Sequence, residues 1–237
     1  MLPPAVAVMA KVPGLAPVKS RLCPALSAEQ ATALYRCFLL DRLDAVAGLS
    51  GVSGVVAYTP PEAGAAMRAL APPGLRLVPQ QGKGLGERLA SLTLGLLLDG
   101  HAGALAIDSD SPTLPMDNVL EAARLLARAE ADVVLGPCDD GGYYLIGLRT
   151  PQPALFEDIP WSTSAVLGAT LAAAGRRRLR THLLPRWFDV DTEADLARLH
   201  AEMTARGTGP ARTFAFVNAL YEREPGEPGS PDRVSIS

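Results

Sequence analysis

Short apolar runs alternate along this chain with stretches whose apolar residues recur every three to four positions, a pattern that admits few folds. Runs at 4–10 (PAVAVMA), 52–58 (VSGVVAY), 75–78 (LRLV), 103–107 (GALAI), 132–136 (DVVLG) and 143–148 (YYLIGL) read as strands. After the first, Ser27 is placed to cap a helix in which Ala31, Leu34, Tyr35, Phe38, Leu39, Leu43 and Val46 share one face. Helical period returns in the Ala-rich stretch beyond Pro60 and Pro61, and again over 85–98, 117–129, 163–174 and 193–205. Strands separated by helices need crossover connections, so the expected fold is α/β: a three-layer α/β/α sandwich around a mainly parallel sheet. Ligands of such sheets bind beyond the carboxyl ends of the strands, and the residues just after each strand are the ones to examine.

Composition narrows the setting. A chain of 237 residues, 48% hydrophobic and 20% charged, suffices for one globular domain, expected over 1–221, while the Pro-, Gly- and charge-rich 222–237 reads as a disordered tail. The formal charge of -3 gives no basic field, so nucleic acid and anionic membrane are not the default partners. The longest apolar stretch, 89–107, is broken by Asp99 and His101, which predicts no transmembrane helix. No basic segment precedes the first apolar run, as a signal or transit peptide would require. Three cysteines without CxxC spacing suit a reduced, cytoplasmic protein.

The small net charge hides segregation. The first 28 residues hold Lys11, Lys19 and Arg21 and no acid, whereas 101–123 holds Asp108, Asp110, Asp117 and Glu121 and no Lys or Arg. The cations lie in KVPGLAPVKSRL, a loop stiffened by two prolines and turned at Gly14, between the first strand and the first helix. Ammonium and guanidinium groups there suit a polyphosphate. The loop lacks the glycine before Lys19 that a P-loop demands. Asp108-Ser109-Asp110 follows the strand at 103–107, with one carboxylate expected to face the cleft and the other to support it. Such hard oxygens suit Mg²⁺ or Mn²⁺, which borrows further ligands from substrate phosphates. Asp189-Val190-Asp191-Thr192 offers a second acidic patch, although Asp191 or Thr192 can equally cap the helix that follows.

Three weaker signals remain. Asp139-Asp140-Gly141-Gly142-Tyr143 is either a ligand-approaching turn, there suited to an acceptor, or simply a tight hairpin. The glycines of Gly82-Lys83-Gly84 offer backbone amides to a base or ribose, or merely a flexible loop, and Trp161 reads as packing. No G-x-S-x-G elbow and no G-x-G-x-x-G after the first strand is present, which argues against a serine hydrolase and a dinucleotide dehydrogenase.

In order, MAKVPGLAPVKSRL, LLDRL, GLGERL, IDSDSPTLP, GPCDDGGYYLIGL, PWST and DVDTEADL resemble the DUF2064 family of the GT-A superfamily, over about residues 5–200. The opening segment is also similar to guanylyltransferases that activate 2-phospholactate and, more remotely, to molybdenum-cofactor nucleotidyltransferases. The resemblance implies a nucleotide-diphospho-sugar transferase-like fold. It implies nucleotide contacts from Ala10, Lys11, Gly14, Lys19, Gly82, Gly84 and Asp110, with Lys11, Lys19 and Arg21 on the phosphates. Asp110, in the S-D-x-P motif, is implied as a metal ligand and Asp191, in D-V-D-T, as a candidate second one. The family usually has Gly at the position of Asp108, whose role stays open.

Two reactions fit. An NTP could pass its nucleotidyl group to a small phosphate- or phosphonate-bearing acceptor with loss of pyrophosphate; alternatively an NDP-sugar could donate its glycosyl group, with Asp139 or Asp140 as base. Three cations with no nearby acid favour the triphosphate. A catalytically idle nucleotide-binding protein is the third reading. Base, acceptor and oligomeric state, a homodimer included, are not legible.

Overall fold

The computed structural model describes residues 1–222 other than Ala16 and Pro24, so the expected tail lies outside the described residues from 223 onward. The strands are β1 (Ala5–Lys11), β2 (Ser53–Thr59), β3 (Arg76–Pro79), β4 (Ala104–Ile107), β5 (Val133–Pro137), β6 (Tyr143–Leu148) and β7 (Thr181–Leu183). They form one sheet in the order β3-β2-β1-β4-β6-β5-β7, in which β6 alone runs antiparallel to its neighbours. The helices are α1 (Ala28–Ala47), α2 (Gly64–Leu70), α3 (Leu85–Leu98), α4 (Met116–Ala127), α5 (Val166–Arg176), α6 (Glu193–Arg206) and α7 (Ala211–Tyr221).

Alternation along the strands sends side chains to two cores. Val6 and Val8 face one side with Val56, Leu105 and Ile107, where they meet Tyr35, Leu39 and Leu43 of α1 and Val119 and Leu126 of α4. Ala5 and Ala7 face the other with Val55, Ala104 and Ala106, covered by Leu89, Leu92 and Leu96 of α3 and Ala173 and Ala174 of α5. This is the three-layer sandwich the alternation requires. The small residues of the second face let α3 lie close to the sheet. α1 is buried on two sides, because Leu34 and Phe38 pack against Leu196, Leu199 and Met203 of α6 and Val217 of α7.

Ser27 begins α1 with a reciprocal cap: its side chain accepts from Gln30 N while the Gln30 side chain accepts from Ser27 N. The structure adds two elements absent from the sequence reading. β7 is three residues long and mostly exposed, and α7 buries only Thr213 and Val217 fully, so neither carries a strong periodic signal. α5 starts at Val166 rather than 163, because 160–165 make turns in which the Thr163 hydroxyl donates to Pro160 O. No helix among the described residues is long and apolar enough to cross a membrane.

Candidate active site

β1, β2 and β4 run parallel, and the segments that leave their carboxyl ends meet in a cavity of about 420 Å³. That volume is in the range of small-molecule sites. Lys11, Lys19, Arg21, Asp108, Asp110 and Asp191 all line it, as does Ala10. Residues 180 positions apart thus share one site.

The Asp108–Ser111 segment turns as soon as β4 ends. An extended backbone would put Asp108 and Asp110 on one face; at the turn both still line the cavity but take different partners. Asp108 Oδ2 accepts from the Ser111 hydroxyl at 2.6 Å, and its Oδ1 is buried without a hydrogen-bond partner. Burial pushes the Asp108 carboxyl up to about 6, opposed by the charge of Arg42 and reinforced by that of Asp110. Arg42, 3% exposed on α1, donates to Ser111 O and so pins the far side of the same turn. Asp110 also lines the cavity, with Oδ1 against Lys19, and its backbone oxygen accepts from Val190 N at 3.0 Å. That bond brings the Asp189–Thr192 segment alongside.

In that segment Phe188 and Val190 are buried in the α1–α6 core. The alternate residue Asp191 therefore faces outward to the cavity, where Lys19 lies between it and Asp110. Lys19 Nζ is 2.9 Å from Asp110 Oδ1 and 2.8 Å from Asp191 Oδ1, and its side chain is 3% exposed. Burial disfavours the ammonium, but the two carboxylates outweigh it and hold Lys19 above its ordinary value. Lys19 has φ 52 and ψ 33 as it enters the short 3-10 turn Ser20–Leu22, a left-handed conformation that a non-glycine residue keeps only when its surroundings hold it there. Arg21, 71% exposed, approaches Asp191 Oδ2 at 3.8 Å from the rim.

Three lining residues, Tyr35, Gln80 and Arg88, and the supporting Arg42 were not legible as site residues. The Tyr35 hydroxyl accepts from Lys11 N at 2.9 Å and lies 3.2 Å from the Ser109 hydroxyl, which donates to Met9 O. These contacts tie the end of β1 to the Asp108–Ser111 turn. The Gln80 amide donates to Ala57 O at 2.7 Å and Ala10 O at 3.3 Å, clamping the ends of β2 and β1. Arg88, on the first turns of α3, adds a fourth cation and donates to Gly82 O. Arg42 had one signal: it falls seven residues after Tyr35 and four after Phe38, on the buried stripe of α1.

Other candidates stand apart from the cavity lining. Gly14 makes a turn at φ +84. Gly82, at φ +126, would drive a β-carbon to 2.6 Å from Glu87 Cβ, and Gly84 caps α3 with open space around it. Asp139, Asp140, Gly141 and Gly142 form the β5–β6 connection, with Cys138 N donating to Gly142 O. Gly141 has φ +91 and lies against the Ser164 backbone, where no side chain fits. Asp139 pairs with Arg198 at 2.8 Å, and Asp140 accepts from Gly142 N. Tyr143 packs edge-on to Trp161, whose ring also rests against Gly86 of α3. Trp161 is thus part of the α3 packing.

Asp140 also meets Cys138 and Asp189, with one ligating atom of each within 4.8 Å of the others. Burial pushes the Cys138 thiol up, and neighbouring carboxylates add to it, which makes it a reluctant metal ligand. Asp110 and Asp191 are a better fit to Mg²⁺ or Mn²⁺. They present hard oxygens that already converge on one cation, and Asp110 Oδ1 is buried with no hydrogen bond besides its ion pair. Two carboxylates plus water and substrate phosphates is the donor set such an ion takes.

The family model described as "Uncharacterized protein conserved in bacteria (DUF2064)" matches residues 42–163. Among solved structures, a Desulfovibrio desulfuricans G20 protein provisionally named a nucleotide-diphospho-sugar transferase is similar over 93% of this chain and 97% of its own, with 32% identity and a TM-score of 0.84. A CMP:2-keto-3-deoxy-manno-octonic acid synthetase complexed with CTP matches 86% of this chain and 99% of its own, at 12% identity and a TM-score of 0.55. Molybdopterin-guanine dinucleotide biosynthesis protein A from Archaeoglobus fulgidus matches 85% and 99%, at 14% identity and 0.52. These last two likenesses are of fold. No curated protein matches the sequence.

Proposed function

Since this chain belongs to the DUF2064 family and has a nucleotide-diphospho-sugar transferase-like fold, we propose that it is a metal-dependent nucleotidyltransferase acting on a small phosphate- or phosphonate-bearing acceptor. The observation that carries this reading is the cavity itself: Lys11, Lys19, Arg21 and Arg88 line it together with the paired carboxylates of Asp110 and Asp191. The fold brings Asp110 and Asp191 onto Lys19, so the expectation of cations without a nearby acid is corrected; Lys11, Arg21 and Arg88 are the cations that remain for a triphosphate once a metal engages the acids. The provisional name of the Desulfovibrio protein and the nucleotides in the names of the two remoter structures support a nucleotide-using transferase.

In the proposed reaction an acceptor oxygen bonds to the α-phosphorus of an NTP, and the bond from that phosphorus to the bridging oxygen breaks. Pyrophosphate departs with the electron pair. The acceptor oxygen is already ionised, so no side chain need take a proton, and the protein's task is alignment and charge neutralisation. Asp110 and Asp191 would hold Mg²⁺ or Mn²⁺, which supplies Lewis-acid stabilisation of phosphate charge. Lys11, Arg21 and Arg88 line the cavity as cations for the departing phosphates. Arg42 and the Ser111 hydroxyl hold the turn that presents Asp110.

Glycosyl transfer is the second reading, in which a carboxylate near the site would take the proton of an acceptor hydroxyl. Of the two carboxylates the sequence offers for that role, Asp139 is engaged by Arg198, which leaves Asp140. Asp189, beside Asp140 and Asp191, is raised by burial to about 7 but does not line the cavity. A thermal-shift panel separates the readings. Metal-dependent stabilisation by an NTP, followed by pyrophosphate release with phosphorylated acceptors, is expected. Selective stabilisation by NDP-sugars would replace this reading with the second. No response to either ligand class would leave the idle third.

A further inference from the structure

Lys19 is placed differently from the other cavity cations. Arg21 is an exposed rim residue, whereas the Lys19 ammonium is buried where Asp110 and Asp191 converge, 2.8–2.9 Å from one oxygen of each. Mg²⁺ takes carboxylate oxygens at about 2.0–2.1 Å. To use these oxygens it must either replace the ammonium or lie against its far side, where two cations a few ångströms apart repel. The phosphate-binding cation and the metal therefore contend for the same carboxylates.

We propose that Lys19 is the counter-ion that a divalent metal must displace, so that metal alone binds weakly and metal with polyphosphate binds cooperatively. The inference rests on the metal-site reading above and deepens it. Displacement costs the ammonium two anionic partners, a loss that a polyphosphate in the same cavity makes good. The four-carbon stem can carry the charge from the carboxylates to such a ligand without moving the backbone. By linkage, whatever polyphosphate does for metal affinity, metal does equally for polyphosphate affinity. The substrate would enter as a metal–triphosphate complex rather than by filling a ready metal site. Lys19 thereby guards the acid pair until its anionic ligand arrives.

The test is Mn²⁺ binding followed by electron paramagnetic resonance, with and without inorganic tripolyphosphate, on the unaltered chain, Lys19→Met, Lys19→Gln and Asp110→Asn. Circular dichroism checks that each variant is folded, and the two Lys19 variants guard against one failing to fold. Removing the competing charge should tighten Mn²⁺ binding without polyphosphate about tenfold. It should also shrink the enhancement that tripolyphosphate confers. Unchanged or weaker Mn²⁺ binding in the folded Lys19 variants, with Asp110→Asn still abolishing it, overturns the competition while leaving the metal site standing. Mn²⁺ affinity indifferent to Asp110→Asn overturns the metal site and this inference together.

Discussion

Two ion triads of opposite sign stand at opposite ends of the same sheet. At the carboxyl ends of β1 and β4, Lys19 is held between Asp110 and Asp191. At the other end, Asp132 precedes β5 and is held between Arg149, which follows the antiparallel β6, and Arg180, which precedes β7. Asp132 Oδ1 accepts from Arg149 Nε and Nη2 and from Arg180 Nη2, and Oδ2 accepts from Arg180 N and Nε. Every strong acceptor position is used. The Arg180 hydrogen bonds, with Arg149 adding to them, hold its carboxyl well below the usual range. The Lys19 triad borders a cavity, gives Asp110 Oδ1 no partner besides its ion pair with Lys19 and keeps a residue in left-handed backbone. A saturated triad fastens strands, whereas an unsaturated one has coordination to give to a ligand.

If that contrast is right, mutations at the two ends should separate turnover from stability. The largest effect is expected from Asp110→Asn, which should lower turnover by a factor of about 100 to 1000, or about 2.7–4 kcal/mol of transition-state stabilisation. Its melting temperature should stay close to that of the unaltered chain. Steady-state pyrophosphate release beside a thermal melt checks both, and a large fall in melting temperature with turnover retained would make the Lys19 triad structural as well.

Asp132→Ala should do the reverse. Losing charge-assisted bonds to two arginines should cost about 2–3 kcal/mol of stability, read as a lower urea midpoint, with metal and nucleotide binding unchanged. pH sharpens the point. The Asp132 carboxyl is lowered on folding, so its contribution is complete above its unfolded value near 4 and is lost as pH falls below it. Asp132→Asn should therefore flatten the acid limb of a urea-midpoint profile below about pH 4.

The two ends also differ in how far they could be read from the sequence. Periodicity placed the helix at 85–98 and the strand at 143–148 at both boundaries, since each pairs a clean apolar pattern with a glycine-marked edge. Asp110 and Asp191 stood out because acidic pairs beyond apolar runs are locally visible. Their shared partner was not, because Lys19 and Asp191 are 172 residues apart and only the fold sets that pairing. Tyr35 was legible as an apolar helix-face residue, and its hydroxyl bonds to Lys11 and Ser109 depend on β1 and β4 lying side by side. The Asp132 triad has no local signature. A lone Asp before a strand and the basic run at 175–180 carry no local sign that they meet, and only the antiparallel return of β6 delivers Arg149 to them.

The smallest predicted effect resolves an ambiguity within two adjacent residues, since either Asp191 or Thr192 could have capped α6. The structure divides the work. The Thr192 hydroxyl accepts from Asp195 N while Asp195 Oδ2 accepts from Thr192 N, which completes a capping box and leaves the Asp191 side chain for Lys19. Thr192→Ala should therefore cost about 1 kcal/mol of stability, the usual worth of such a cap. Its Mn²⁺ affinity should stay unaltered, whereas Asp191→Asn should weaken Mn²⁺ binding with the cap intact. Were Thr192→Ala to weaken the metal as much as Asp191→Asn does, the cap would be positioning the carboxylate, and the boundary between the structural and the chemical parts of this end would shift by one residue.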